Sequence, residues 1–414
     1  MHLSNNTNKT LIALSLYFSL FIGFYFGENT SGGAYDDFIN LRVPLIESFK
    51  NDFFKTFLNY DDFGDRHSPI LMMLLSIFSV WGLELDLIRF IHLNILPLLI
   101  LMIYKCFTFN FPNVDKKIIF LICCVFFLSP SIRSIAIWPD SRLIGLLIFV
   151  CSIYFFLNFK KNQRFIDCIY SNLLLVLSAY FSPNFSVFFL YYFYFYFKIF
   201  GISQKLIFIA LINILLSLPI LVYLFILDVN FLAIKVVSHL SALDGLNPSN
   251  KIFIISTLIL FYMIPFIFNQ FSIKIFLKNF KITHLYISLI IFFSSLYFFN
   301  YSIEYTGGGI FFKISHLFFK NSYLFFCITL ISFLFIMNIF RLNFNNILLF
   351  LTLIFSNPQF SIYHKYFDPL LIILFFLFFN FNFRMEKIIN TKFIKNIYLF
   401  YIILLLINFG RSII

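Results

Sequence analysis

The stretch FFLSPSIRSIAIWPDSRLIGLLIFVCSIYFFL, residues 126–157, decides how this chain is read. One apolar run ends at Ser129-Pro130, a short mixed segment holds Arg133, Trp138, Asp140 and Arg142, and a second apolar run starts at Leu143. A helix needs about 20 apolar residues to cross ~30 Å of hydrocarbon. Trp and a turn-forming Pro belong at the headgroup level between two such crossings. Two spans joined by a tight polar junction fit this order of residues.

The pattern continues in both directions. Hydrophobic residues make up 61% of the chain, mean hydropathy is +0.94, and Phe alone supplies 68 of 414 positions. A soluble domain of this length could not bury so much apolar surface. The expected fold class is all-α integral membrane, with about 13 transmembrane helices. They fall near 11–27, 87–105, 117–136, 141–158, 168–183, 184–200, 206–227, 251–269, 283–300, 322–340, 345–356, 367–383 and 396–411. No repeat or linker-like tract divides the chain, so 1–414 reads as a single polytopic domain.

The net charge of +12 lies between the spans instead of forming a patch, which argues against a nucleic-acid partner. With the N-terminus cytoplasmic, 17 of the 30 basic residues occupy short cytoplasmic connectors, the usual topology signal. The expected location is the plasma (inner) membrane, multi-pass. Lys9 precedes a first apolar run too long for a cleaved leader, so an uncleaved span is expected. The stretch 69–83 is too short to cross and, counted as a span, would reverse every later loop. It reads as a re-entrant or surface helix. The six cysteines show neither metal spacing nor a disulfide framework.

The first outer loop, 28–68, holds Glu28, Asp36, Asp37, Glu47, Asp52, Asp61, Asp62 and Asp65, eight of the 18 acids. Within it Phe38, Leu41, Leu45 and Phe49 follow helical spacing, predicting an amphipathic juxtamembrane helix that Pro44 kinks or shortens. Residues 52–60 predict a second one. Such helices lie on the membrane surface and would hold Asp36 at the lipid–water boundary.

Asp36 and Asp37 suit a solvated helix start, and equally a general base or a ligand for a hard cation. Arg133, Asp140 and Arg142 suit an interfacial anchor or a site for an anionic lipid phosphate and its cation. Arg66 and His67 stand beside the short helix at 69–83, while His364 and Lys365 stand at the mouth of a late span. There they either snorkel to headgroups or neutralise a phosphate. Glu304, the triplet Gly307-Gly308-Gly309, His239 and Asp244 are unspecific. No Ser-His-Asp order, phosphate-binding loop motif or zinc signature occurs.

The order of these features resembles the GT-C superfamily of membrane glycosyltransferases, which includes protein mannosyltransferases, aminoarabinose transferases and oligosaccharyltransferases. In that superfamily a first span leads to an outer loop opening with an acidic pair, as in AYDDFIN. The loop closes on a basic residue and a proline-led short helix, as in RHSPILMMLLSIFSVWG. A span beginning with Arg follows, similar to LDLIRFIHLNILPLLILMIY with Arg89, and then a span ending Ser-Pro with Arg and a later Asp, as in residues 126–157. The late segment YHKYFDPLLIILFFLF is similar to the aromatic and basic cluster that precedes a late span in these enzymes. The departures are Asp-Asp in place of Asp-Glu, Pro44 in the loop helix, and no soluble domain after the last span.

The resemblance implies a GT-C-like catalytic module over 1–200, including the outer loop 28–86, and a variable helical module over 201–414. It implies an inverting glycosyltransferase that moves a sugar from a polyprenyl-phosphate donor to a glycan, lipid or protein acceptor at the outer face. The implied catalytic residues are Asp36, then Asp37, with Asp140. Arg66, His67, Arg133, Arg142, His364 and Lys365 are implied at the substrate. A divalent cation, Mg or Mn, held by Asp36 and Asp140, is one implied way to offset leaving-group charge. Membrane lipids are the other expected partners. A lipid-linked sugar flippase or other transporter is the alternative, and it predicts ionisable groups nearer the span midplanes.

Overall fold

The computed structural model describes residues 6–30, 33–65, 67–230, 235–237, 240–241, 247–268, 276–304, 307–357, 359 and 361–413. Helix α1 (Asn6–Tyr25) ends at Gly27, whose φ of 66° lets the Glu28 N–H turn back to the Gly23 carbonyl at 2.7 Å. This is the left-handed cap that glycine permits, and it delivers Glu28 to the bundle interior. The first loop holds α2 (Ala34–Asp37), a π-helical turn (Phe38–Arg42), α3 (Val43–Asn51) and α4 (Phe53–Leu58). Helix α5 (Ile70–Val80) is 11 residues long and packs on α3.

Helices α6 (Leu85–Leu93) and α7 (Ile95–Asn110) form one long apolar unit through Asn94. Helix α8 (Lys116–Cys124), with its 3-10 extension Val125–Leu128, meets α9 (Pro130–Ile137) at a 65° bend. The single straight span expected over 117–136 is therefore broken. Pro130 lacks the N–H that would continue the helix, and it forces Ser129 into extended backbone (ψ 117°). The Ser129 side chain then caps α9 by accepting from the Ile132 N–H at 3.2 Å. Helix α10 (Ser141–Asn162) starts three residues after α9 and packs along α11 (Phe165–Phe181), where Gly145 lets Ser182 approach closely.

The remainder comprises α12 (Phe188–Phe200), α13 (Gln204–Leu221), α14 (Pro248–Ile267), α15 (Ile282–Tyr297), α16 (Gly309–Phe319), α17 (Tyr323–Ile339), α18 (Phe344–Phe355), α19 (Leu370–Leu377), α20 (Met385–Ile388) and α21 (Thr391–Ile413). A two-stranded antiparallel ribbon pairs β1 (Lys235–Val237) with β2 (Leu240–Ser241), a small departure from an all-helical chain. Helix α14 is 78% buried over its most apolar window and organises the later helices, whereas α13 is only 17% buried and presents its apolar surface outward. Helix α21 packs against both α14 and α8–α9, tying the later helices to the first.

Each of the thirteen expected segments coincides with a helix or helix pair. Among the described residues five helices are long and apolar enough to cross a membrane, or six with the bent pair; seven apolar helices of 10–17 residues are shorter. The segment expected over 367–383 forms only the eight-residue α19, wholly buried among other helices. Helix α16 was not expected.

A buried ion pair ties the end of α1 to α9. Arg133 and Glu28 are both under a tenth exposed, and Arg133 Nε donates to Glu28 Oε1 at 2.7 Å while Nη2 donates to Oε2. Its other N–H groups reach Ser19 Oγ, the Ser19 carbonyl and the Phe127 carbonyl at 3.0–3.2 Å. Removing one member strands the other charge in the interior, which costs about 3–5 kcal/mol. Glu28→Gln is therefore expected to lower the unfolding midpoint in detergent sharply. Asp86→Asn, which breaks an exposed pair with Arg89, should leave it nearly unchanged. Equal effects of the two substitutions would show that Glu28–Arg133 does not lock the fold.

Candidate functional site

The site begins with the turn at 38–42. Pro44 has no N–H to return to Asn40, and the helix widens here into a π turn instead of kinking. A π turn brings residue i+4 or i+5 under residue i, so Arg42 follows Phe38 inward and Leu41 turns out. Phe38, Arg42, Leu45, Ile46 and Phe49 are buried, while Leu41 is exposed. The expected stripe is thus corrected at one position, and that position is a charge.

Inside, Arg42 Nη2 donates to Asp140 Oδ2 at 2.8 Å and Nη1 donates to the Pro139 carbonyl. Asp140 is the N-cap of α10, its Oδ1 accepting from the Arg142 N–H at 2.9 Å. The Arg142 guanidinium stands 4.0 Å from Asp140 Oδ2, lies over the Tyr366 ring at 4.3 Å, and donates to the Lys365 carbonyl at 3.4 Å. Lys365 Nζ is 3.9 Å from Asp37 Oδ2. On the far side His92 Nε2 lies 3.1 Å from the Ile135 carbonyl and 3.3 Å from the Asp140 N–H, steadying the same junction. Asp65 adds a third acid, hydrogen-bonded to His67 at 2.7 Å.

These charges shift one another. Burial works against the Arg42 charge, but Asp140, Asp65 and Asp37 outweigh it and hold the guanidinium above its ordinary pKa. Burial also opposes ionisation of Asp140. Arg42, Arg142, His67 and Lys365 overcome it and keep that carboxyl well below the usual range. Asp65 is lowered in the same way, burial being outweighed by His67 and Arg42. Burial, followed by Arg142, brings the Lys365 ammonium down to about 8 although Asp140 and Asp37 pull the other way. His364 falls to about 4 through burial and Lys313, so it is neutral near pH 7 and does not neutralise a phosphate.

The structure brings together Asp37, His67, Asp140, Arg142 and Lys365 of the expected site. Asp36 is exposed on α2, and Asp37, half-buried, is the acid of the pair that lies 3.9 Å from Lys365 Nζ. Arg133 has every N–H engaged by Glu28, Ser19 and Phe127 and has none to offer a substrate. His364 turns to Tyr262, its Nδ1 2.9 Å from the hydroxyl. Arg66, His239 and Asp244 lie outside the described residues. Glu304 is exposed, and Gly307 and Gly308 serve close packing, with the Gly308 N–H on the Ile362 carbonyl at 3.0 Å.

Sequence reasoning missed Arg42 and gave Asp65 no role. The spacing held one signal: Arg42 sits four residues after Phe38, on the flank of the apolar stripe. A divalent cation does not fit the expected Asp36–Asp140 pair. Both Asp140 oxygens are engaged by Arg42 and the Arg142 N–H, Arg142 and Lys365 stand close by, and Asp36 is exposed while Asp140 is buried. Among the described residues no group of three or more His, Cys, Asp or Glu side chains is placed to hold a metal ion. No protein family, curated protein or solved structure matches this chain.

Chemically, Asp140 is engaged by Arg42, whereas Asp37 is a half-buried carboxylate whose ion-pair contact, to Lys365, is 3.9 Å long. A carboxyl with a lowered folded pKa stabilises the fold above its unfolded value, about 3.9, and loses that contribution as pH falls through the folded value. The unfolding temperature in detergent is expected to drop below about pH 4 for the native chain. Asp140→Asn should begin lower and respond less to acid. Identical acid profiles for the two proteins would contradict the assignment of this stability to Asp140.

Proposed function

We propose that the protein is a multi-pass glycosyltransferase that moves a sugar from a polyprenyl-phosphate donor to an acceptor hydroxyl. In this reading the short apolar helices complete about thirteen spans, and the site lies on the outer face of the plasma (inner) membrane. The observation that supports it best is Asp37, half-buried 3.9 Å from Lys365 Nζ, with Arg142 donating to the Lys365 carbonyl. A proton-accepting carboxylate and cations in one place match the demands of transfer from a phosphate. A lipid-borne donor would arrive laterally, its phosphate at headgroup depth.

The acceptor oxygen attacks the anomeric carbon and its proton passes to Asp37. The bond from that carbon to the phosphate oxygen breaks, the electron pair leaving with the phosphate. Arg142 and Lys365 offset the charge that builds there. Arg42 and Asp140 set the geometry without touching substrate. One displacement gives inversion. The break at Ser129-Pro130, with the buried Asp368 accepting from Ser129 Oγ at 2.6 Å and the Tyr401 hydroxyl at 3.0 Å, favours transport as the second reading. Both oxygens of that acid are already occupied, which supports a structural cap more than an ion path.

Purified protein in liposomes, given radiolabelled polyprenyl-phosphate hexoses and pentoses and a membrane glycan extract, is expected to transfer label. Asp37→Asn should reduce the rate at least ~10²-fold, and Asp36→Asn far less. Label that crosses the bilayer without forming a glycosidic bond would favour the transporter instead.

Because Lys365 loses its proton near pH 8, transfer should decline above that pH. Lys365→Arg, which stays charged, should hold its rate to higher pH. A native rate that is flat from pH 7 to 10 would remove Lys365 from the phosphate site.

A further inference from the structure

The segment between α4 and α5 contains a hydrogen-bonded pair that the reaction above does not use. Gly64, at φ 66°, turns the chain after the 3-10 turn Tyr60–Phe63 and sends Asp65 inward, where it is 2% exposed. Asp65 Oδ1 accepts from the His67 backbone N–H at 3.0 Å and lies 2.7 Å from His67 Nδ1. The Tyr60 hydroxyl, itself buried, donates to the His67 carbonyl at 2.9 Å, fixing the backbone from the other side. A turn-forming Asp explains the backbone bond but does not require the ring contact.

That ring contact decides which nitrogen is free. A carboxylate can only accept, so Nδ1 must carry a proton, and Nε2 is the nitrogen left for other work. Nε2 has no protein partner among the described residues, and the imidazole is a quarter exposed while its carboxylate partner is shut away. His67 is near enough to Asp140 to help lower its pKa, so the ring borders the same cluster as Arg142 and Lys365. The charged groups around it are Asp65 from its own segment, Arg42 behind Asp65, and Asp140 with Lys365 across the cluster.

We propose that Asp65 is a positioning residue that holds the doubly protonated His67 ring with Nδ1–H on the carboxylate and Nε2–H toward the leaving group, so that His67 protonates the departing phosphate. The inference rests on the glycosyl-transfer reading. As the anomeric carbon–oxygen bond breaks, its electron pair goes to the phosphate oxygen, which takes the proton from Nε2. The acceptor proton goes to Asp37. Exchange with water then returns a proton to His67 and removes one from Asp37, so no co-reactant is needed.

A proton donor matters most when the leaving oxygen is basic. The probes are two polyprenyl phosphonate glycosides of like shape, one with a methylene and one with a difluoromethylene group beside phosphorus, both carrying whichever sugar the native enzyme transfers. The difluoro compound has the less basic leaving oxygen. Asp65→Asn and His67→Gln are expected to lower kcat about 10²-fold on the methylene donor and less than about 10-fold on the difluoro donor, with KM changed little. His67→Gln makes the same test should Asp65→Asn fail to fold. Equal losses on both donors would make the pair structural and overturn the inference while leaving glycosyl transfer standing. No transfer by the native protein from any polyprenyl-phosphate sugar would overturn both.

Discussion

The ion pair between Arg42 and Asp140 is the contact on which the arrangement of the first half depends. Both side chains are almost wholly enclosed, and either alone would be a charge without an answer inside a low-dielectric bundle. The first loop can therefore close over the α9–α10 junction in one register, the one that turns Arg42 inward. That register is set by backbone chemistry: Pro44 withholds an N–H, the preceding turn widens, and the buried stripe passes from Phe38 to Arg42. The same pair takes Asp140 out of the pool of reactive carboxylates and leaves Asp37 as the acid that borders the cations with a contact to spare.

Two further ties carry this geometry across the chain. Glu28, delivered by the glycine cap of α1, satisfies Arg133 on α9, so the helix that leads into the junction is held from the first span. At the other end of α9 Asp368 accepts from Ser129 and Tyr401, drawing the late segment to the break in α8–α9. Lys365 and Tyr366 stand two or three residues before Asp368, and so the late segment reaches Asp37 and Arg142. The bend at Ser129-Pro130 turns what would have been a plain crossing into a bracket for three separated parts of the sequence.

The helices were legible because their signal is local: apolar length, proline and glycine punctuation, and basic connectors each act within about twenty residues. Each expected segment became helix, and the short stretch at 69–83 became the separate α5. What failed were inferences that need a partner. Arg133 reads in sequence as part of an interfacial anchor or a phosphate site, yet its partner Glu28 lies 105 residues earlier. Leu41 and Arg42 differ by one position in a helical stripe, and only the π turn decides between them. Asp36 and Asp37 are indistinguishable in sequence, because the direction each faces depends on the pitch of a four-residue helix. The 367–383 segment shows another limit, since hydropathy reports that α19 is buried in apolar surroundings without saying whether lipid or protein supplies them.

The charges of the cluster sort into pairs with one left over. Arg42 takes Asp140, Lys365 faces Asp37, and His67 is held by Asp65. Arg142 remains, its nearest carboxylate 4.0 Å away and already committed to Arg42, its guanidinium stacked on Tyr366. Arginine tolerates that position because its weakly hydrated, planar cation can rest on an aromatic face while its edge donates to the Lys365 carbonyl. In the glycosyl-transfer reading, this arrangement leaves a demand for one more anion at the depth of the helix ends. A phosphate carried on a lipid would satisfy that demand without dragging its own charge through hydrocarbon. It would also place the atom bonded to it near Asp37, whose contact to Lys365 is 3.9 Å long.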